Sequence, residues 1–116
     1  MPAASPITTH VLDTSQGRPA AGVEVQLARR STDNRWEVVA SGVTDADGRI
    51  ADLLSPGALA AGVYCLTFAT GAYFKRQGIA TFYPTVAIEF QIVVPSEHYH
   101  VPLLVSPFGY STYRGS

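Results

Sequence analysis

Residues 7–30 read "ITTHVLDTSQGRPAAGVEVQLARR", which is two β-like runs joined by a turn segment. The first run, residues 7–14, is rich in β-branched side chains, and the second, residues 23–30, alternates apolar with polar positions. A period of two is typical of a strand that buries one face. Serine, glycine and proline between the runs favour a turn. The stretch therefore predicts two strands.

Runs of the same kind follow along the rest of the chain. "STDN" and "DADG" are turn signals before the runs 35–44 and 49–54, and "SPGALAAG" reads as a loop. Further strands are predicted over residues 63–70, 85–94, 99–106 and 109–114, and one short helix over residues 71–78. About eight short strands, spaced about 8 to 12 residues apart, predict an all-β fold, a two-sheet antiparallel β-sandwich.

Length and composition bound the functions open to the chain. Its 116 residues predict a single domain, 1–116, with one core that buries roughly two-thirds of the unfolded surface. A net charge of -1 and a charged fraction of 15% give no electrostatic footprint for nucleic acid or an anionic membrane. The hydrophobic fraction of 47% indicates that other subunits cover part of the apolar surface, so we expect an oligomer.

The N-terminal stretch and the single cysteine predict a cytoplasmic protein. "MPAASPITTH" has neither a basic nor an apolar signal region, and no run approaches the length of about 18 apolar residues that a bilayer requires. One cysteine, Cys65, cannot form a disulfide within the chain, which suits a reducing compartment. Its apolar neighbours in "VYCLTF" predict a core residue and not a nucleophile.

Three histidines are candidates for chemistry. His10 shares a strand face with Thr8 and Leu12, where it either packs or acts as a general base or proton shuttle. His98 and His100 lie two apart in "HYH", and two such imidazoles bind a metal only with a further ligand. Because His10 could supply that ligand, a zinc site stays open, and so does the simpler reading of His98 as an exposed residue at a strand entry.

Arg49 and the last residues of the chain are the other candidates. Arg49 follows the turn "TDADG" and is either a solvated rim residue or a planar donor for a carbonyl or oxyanion. In the tail, "YSTYRGS", strand alternation places Ser111 and Tyr113 on one side and Arg114 on the other. Gly115 allows a bend that re-aims the final residue. The alternative is an edge strand whose aromatic side chains only pack.

Four stretches together carry a family resemblance: "THVLDTSQGRPAAGVEVQL", "GVTDADGRI", "TGAYF" and "YHVPLLVSPFGYSTYRGS". Over nearly its whole length the chain resembles the transthyretin-like family, and more narrowly its 5-hydroxyisourate hydrolase branch. The resemblance implies a transthyretin-like β-sandwich with one short helix. It also implies a homotetramer, a dimer of dimers, with active sites at the dimer–dimer interface.

The resemblance also assigns roles to residues. It implies four catalytic residues and four substrate-binding residues, with no metal and no cofactor. The catalytic set is His10, Arg49, His100 and Ser116, and the substrate-binding set is Ser111, Tyr113, Arg114 and Gly115.

The implied reaction belongs to urate (purine) degradation. It is hydrolysis of 5-hydroxyisourate to 2-oxo-4-hydroxy-4-carboxy-5-ureidoimidazoline, by histidine-assisted attack of water on the lactam carbonyl. Arg49 would stabilise the oxyanion, and its charge would disfavour imidazolium at the histidines. Which histidine is the base stays open.

Three other functions are alternatives to the hydrolase. A non-enzymatic transthyretin-like carrier of a small aromatic ligand would lack the two histidines and the arginine and have a longer tail. A structural module would need linkers or partner domains, and a zinc hydrolase would use all three histidines.

Overall fold

The computed structural model describes residues 5–116, which fold into two four-stranded sheets and one short helix. The strands are β1 (Ile7–Asp13), β2 (Arg18–Pro19), β3 (Glu24–Arg30), β4 (Trp36–Val43), β5 (Gly62–Phe68), β6 (Val86–Ile92), β7 (Tyr99–Ser106) and β8 (Gly109–Thr112), and the helix is α1 (Thr70–Lys75). No helix within these residues combines the length and apolar character needed to cross a membrane.

The first sheet has the strand order β2-β1-β7-β8 and the second the order β4-β3-β5-β6. All neighbours are antiparallel except β1 and β7, which pair in parallel over seven residues. These two strands come from opposite ends of the chain, so no tight hairpin forces them to run antiparallel. The predicted two-sheet sandwich is confirmed, with this one parallel pair as an addition.

The alternation that predicted the strands also builds the core. In β1 the side chains of Ile7, Thr9 and Val11 are buried, whereas the residues between them are half-buried on the opposite face. In β5 the buried residues are Tyr64, Leu66 and Phe68. The space between the sheets is therefore filled from both sides, and the outer faces are left for other functions.

Three details differ from the sequence predictions. The run 49–54 is not a strand and contributes only a single bridge at Arg49. The strand that was not predicted is β2, which lies within the predicted turn between the first two runs. Cys65 was expected in the core, but it is half-buried on the outer face of β5, paired with Ala28 and Glu89. Both runs have apolar residues on two faces, and period-two reasoning does not tell which face the second sheet covers.

The helix α1 is fastened to the first sheet by a buried hydrogen bond. Tyr73 donates its O–H to Asp13 Oδ2 at 2.8 Å, and the backbone N–H of Ser15 donates to Oδ1 of the same carboxylate at 3.0 Å. Since the Asp13 side chain is fully buried at the end of β1, these donors replace the water that it loses.

The turn before Arg49 lies hard against β1. The carbonyl of Gly48 accepts a hydrogen bond from the N–H of Val11 at 2.8 Å, and Gly48 is buried with φ +75°. A Cβ at this position would lie 2.4 Å from the carbonyl oxygen of Val11. Only glycine allows the turn to approach the strand this closely.

We expect Gly48→Ala to destabilise the protein by about 2 kcal/mol or more, because it adds a backbone clash to the strain of a positive φ. The matched control is Gly17→Ala, where φ is +66° but no atom lies within 4 Å of the new Cβ. Urea unfolding at one fixed protein concentration measures both variants. Equal losses of stability would show that the contact with β1 is unimportant.

Candidate functional site

The outward faces of β1 and β7 bring the predicted histidines to one surface. In the parallel register Thr8 pairs with His100, and His10 pairs with Pro102. Thr8, His10 and His100 are all half-buried, on the side of the sheet opposite the core. Residues that pair in register project to the same side of a sheet, so the two imidazoles are neighbours across the strands.

Arg49 joins this surface from the other side of β1. It forms an antiparallel bridge with His10. Asp45 fixes its backbone, since Oδ1 of Asp45 accepts the N–H of Arg49 at 3.0 Å and the Asp45 N–H donates to the Arg49 carbonyl at 2.9 Å. The side chain is exposed, and within residues 5–116 it has no carboxylate at ion-pair distance. Its guanidinium is available to a ligand.

The tail separates from the sheet at Pro102 and then returns. β8 ends at Thr112, opposite Leu103, although a strand was predicted through residue 114. The next position on β7, Pro102, has no N–H to donate to the tail, which accounts for the earlier end. Thr112 instead donates its hydroxyl to the Pro102 carbonyl at 2.7 Å. Pairing resumes where the N–H of Gly115 donates to the carbonyl of His100 at 2.8 Å.

Gly115 lies against the imidazole of His100. A Cβ at residue 115 would lie 2.5 Å from Cδ2 of His100 and 3.2 Å from its Cγ. The ring therefore rests on the glycine backbone, and any larger residue would displace it. Sequence reasoning had assigned Gly115 a bend and a place in the substrate site, and the structure adds this contact.

Three further tail residues that were predicted to belong to the site are exposed to solvent. Ser111 pairs with Leu104 on the outward face of β7, and Tyr113 retains 60% of its exposure. Ser116 follows Gly115 directly and is also exposed. The structure thus brings His10, Arg49 and Gly115 around His100, and Ser116 adjoins Gly115 in the chain.

Arg114 points to different partners. Its guanidinium lies 3.3 Å from Oε1 of Glu97 and 4.5 Å above the ring centre of Tyr99. Tyr99 belongs to the inward face of β7, so Arg114 projects away from the histidines. Within one subunit, its contacts fasten the tail to the sandwich, and its substrate-binding role stays a prediction.

A threonine that sequence reasoning left without a role connects two of the histidines. Oγ1 of Thr8 lies 2.9 Å from Nε2 of His98 and 2.8 Å from Nδ1 of His100. The sequence placed Thr8 on the face of His10, but the signal that could have found it, the parallel register with β7, is not visible in a single sequence. No group of three His, Cys, Asp or Glu with metal-binding geometry occurs within residues 5–116.

The surroundings of His100 lower its pKa. Its burial lowers its pKa from the ordinary value, and the nearby Arg49, His10 and His98 lower it further, while a hydrogen bond at Thr8 acts weakly in the opposite direction. Burial and positive neighbours both disfavour the imidazolium form. The effect predicted for the arginine is thus found at His100.

The site is an open face and not a closed pocket. A groove of about 260 Å³ lies beside the tail and contains none of the histidines, and it is lined in part by Tyr99, Thr112, Tyr113 and Arg114. Larger cavities of about 420 and 440 Å³ lie on the outer face of the second sheet and beside α1. What the face offers is two imidazoles, a guanidinium and a hydroxyl, all directed outward.

The HIUase/Transthyretin family matches residues 7–115. The chain belongs to this family. It is 49% identical over 110 residues to the 5-hydroxyisourate hydrolase of Salmonella dublin, an alignment that covers 95% of this chain and 80% of that protein. The resemblance stated from the sequence is confirmed.

Solved structures of the HIUase/Transthyretin family have the same fold. The 5-hydroxyisourate hydrolase of Klebsiella pneumoniae has a TM-score of 0.83 and 44% identity, covering 98% of this chain and all of that one, 100%. Sea bream transthyretin in complex with thyroxine has a TM-score of 0.90 and 36% identity, covering 95% and 94%. The backbone therefore does not distinguish a 5-hydroxyisourate hydrolase from a protein that binds thyroxine, and the difference must lie in the side chains.

We expect Arg49→Gln to raise the pKa of His100, because the change removes a nearby positive charge that disfavours imidazolium. In the unchanged protein His100 should stay neutral to a lower pH than an ordinary histidine, and in the variant it should protonate at a higher pH. Titration of selectively labelled histidine by NMR measures the shift.

The matched control for that titration is Arg30→Gln, an exposed arginine at the end of β3 in the other sheet. It should leave the titration of His100 unchanged. Equal titration curves for His100 in the unchanged protein and the Arg49 variant would contradict the electrostatic role of Arg49.

Proposed function

We propose that the chain hydrolyses 5-hydroxyisourate to 2-oxo-4-hydroxy-4-carboxy-5-ureidoimidazoline, a step of urate degradation. The observation that carries the proposal is the position of His100, which contacts Thr8 and Gly115 on one face with His10 and Arg49, where burial and positive neighbours lower its pKa. Relatives that are 49% and 44% identical to this chain, from Salmonella dublin and Klebsiella pneumoniae, carry the name of this hydrolase.

His100 is the general base in this proposal. Its Nδ1 is engaged by the hydroxyl of Thr8, so Nε2 is the ring nitrogen left to meet a water molecule. A general base must be neutral at working pH, and the lowered pKa of His100 meets that requirement. The base takes a proton from water as the water oxygen bonds to the lactam carbonyl carbon.

Arg49 and His10 complete the reaction. As the water attacks, negative charge develops on the carbonyl oxygen, and the guanidinium of Arg49 stabilises it. Breaking the ring C–N bond then requires a proton on the leaving nitrogen. The imidazole that supplies that proton must begin the step with protons on both ring nitrogens and end it neutral. We assign this role to His10, which lies beside Arg49, while the carboxyl product leaves with the oxygen of water.

The tail supplies the substrate-binding groups. The hydroxyls of Ser111, Tyr113 and Ser116 and the backbone of Gly115 are hydrogen-bonding groups suited to the polar edge of an oxidised purine. Ser116 also stands next to the His100–Gly115 bridge, so we assign it to the catalytic set. No cofactor or metal enters this mechanism.

We further propose that the site is completed by assembly into a homotetramer, a dimer of dimers. An open face would leave the developing oxyanion in bulk water, where hydrogen bonds stabilise it least. A second subunit facing this surface would exclude that water and provide the other wall. The outward face carries apolar area that a partner can cover, because Leu12 on β1 and Leu104 on β7 are only half-buried there. The cytoplasmic location stays a prediction.

The rival proposal is a carrier of a small aromatic ligand, which the likeness to transthyretin keeps open. Such a role needs an apolar channel, whereas this face carries two imidazoles and an unpaired guanidinium. Their convergence favours chemistry over passive binding.

The hydrolase proposal predicts faster decay of 5-hydroxyisourate. The substrate is generated from urate with urate oxidase, and its ultraviolet absorbance is followed with and without the protein. We expect clear acceleration over the spontaneous decay. His100→Asn should lower kcat/KM by roughly 10²- to 10⁴-fold, because it removes the general base. Deletion of residues 113–116 should lower it as well.

The matched control is Asp33→Asn, a conservative change in the exposed turn before β4, far from the histidines along the sequence and in the other sheet. It should keep full activity. Absence of acceleration by a folded, oligomeric protein would contradict the proposal and favour the carrier, with ligand binding as the next measurement.

Gly115→Ala should lower kcat by roughly a hundredfold, because the new methyl group would displace the ring of His100 by a distance on the order of 1 Å. The control is Gly109→Ala in the same tail hairpin, where the new Cβ would meet only Ser106 Oγ at an ordinary 3.8 Å. The same assay measures both. Similar activities in the two variants would show that the contact between the tail and His100 is dispensable.

A further inference from the structure

One hydroxyl lies between two imidazoles at the edge of the proposed site. Oγ1 of Thr8 is 2.8 Å from Nδ1 of His100 and 2.9 Å from Nε2 of His98. His100 is half-buried beside the tail, and His98 is exposed to solvent. The three groups form a continuous chain of hydrogen bonds from the interior of the site to the surface.

A count of protons restricts this chain to two arrangements. A threonine hydroxyl has one proton, so Thr8 donates to one of the two ring nitrogens and accepts a hydrogen bond from the other. In the first arrangement Nδ1–H of His100 donates to Thr8, and Thr8 donates to His98. In the second, Nε2–H of His98 donates to Thr8, and Thr8 donates to Nδ1 of His100.

The two arrangements give His100 opposite chemical characters. When the proton is on Nδ1, the Nε2 atom of neutral His100 has a lone pair and can act as a base. When Nδ1 accepts from Thr8, Nε2 carries the proton and can only donate a hydrogen bond. The direction of one hydroxyl is therefore coupled to the tautomer of the proposed catalytic base.

We propose that Thr8 is a positioning residue that relays protons between His100 and His98, and that His98 is the outer end of this relay. The proposal rests on the hydrolase function proposed above. It gives roles to two residues that the reaction had not otherwise used.

The relay balances in protons. Nε2 of His100 takes a proton from the attacking water, and the Nδ1 proton passes to Oγ1 of Thr8. The hydroxyl proton of Thr8 passes to Nε2 of His98, and His98 becomes an imidazolium that releases its Nδ1 proton to solvent. His100 ends neutral with a proton on Nε2, and His10 protonates the leaving nitrogen as proposed above.

The charges around His100 favour this transfer. His10, His98 and Arg49 all face it, and each disfavours a positive charge on its ring. Moving the proton outward places the charge on an exposed imidazole, where water solvates it. His100 therefore performs its chemistry without having to remain an imidazolium.

The first test compares side chains at residue 8. Thr8→Val keeps the shape but removes the hydroxyl, and we expect kcat to fall on the order of tenfold to a hundredfold with little change in KM. Thr8→Ser restores a hydroxyl and should recover most of the loss. His98→Gln keeps a polar group that cannot take up a proton, so it should lower kcat as well.

The control is Thr9→Val, on the same strand but facing the core, where the hydroxyl donates to the carbonyl of Val101 at 2.7 Å. It should lower the thermal midpoint and leave the turnover of the folded enzyme unchanged. If Thr8→Val matched Thr8→Ser in kcat, the relay would be wrong even though the hydrolase function stood.

The second test reads the tautomer directly and does not depend on turnover. The ¹⁵N chemical shifts of His100 report which ring nitrogen carries the proton. Acidification that protonates His98 forces Thr8 to donate inward, so His100 should shift toward its Nε2–H form, and Thr8→Ser should keep this coupling. Thr8→Val, or His98→Gln, should abolish it.

The two tests separate the two proposals. A protein that shows the tautomer coupling but no hydrolysis would overturn the hydrolase function alone. A His100 tautomer that ignores the protonation of His98 would overturn the relay. Thr8→Ser and His98→Gln keep the second test decisive if Thr8→Val fails to fold.

Discussion

The seven-residue parallel pairing of β1 and β7 is the constraint on which both the core and the site depend. Because side chains alternate along a strand, one register commits Ile7, Thr9 and Val11 to the core and places Thr8 opposite His100 on the outer face. A slip of one residue would bury the polar set and expose the apolar set. Burial free energy therefore fixes the geometry of the outward face without any polar contact having to do so.

Two glycines and one proline shape the site through the backbone and not through functional groups. Gly48 lets the turn that carries Arg49 reach β1, Gly115 makes room for the ring of His100, and Pro102 releases the tail from the sheet between two points of attachment. The unpaired guanidinium and the half-buried imidazole then act on one another through space. Electrostatics in this region follows from backbone geometry.

Much of the fold was predictable from period-two patterns, since seven of the predicted runs are strands. The helix begins one residue before its predicted start and ends three residues before its predicted end. The strand predicted over residues 49–54 is wrong, because the apolar residues of this segment fill the core from a loop. The histidines and Arg49 were candidates from their residue types, and the resemblance gave His10, His100 and Arg49 their catalytic roles. Thr8 and the actual partners of Arg114 required the register between distant strands, which a single sequence does not contain.

The pairing of β1 with β7 also has a kinetic consequence. Thr8 and His100 are 92 residues apart in sequence, so the loop that their contact closes spans most of the chain, and such closures form late and slowly. During synthesis β1 leaves the ribosome long before its partner strand exists. Thr8, His98 and His100 are thus brought together only when the two ends of the chain meet, so a partly folded chain would lack the proposed base and relay.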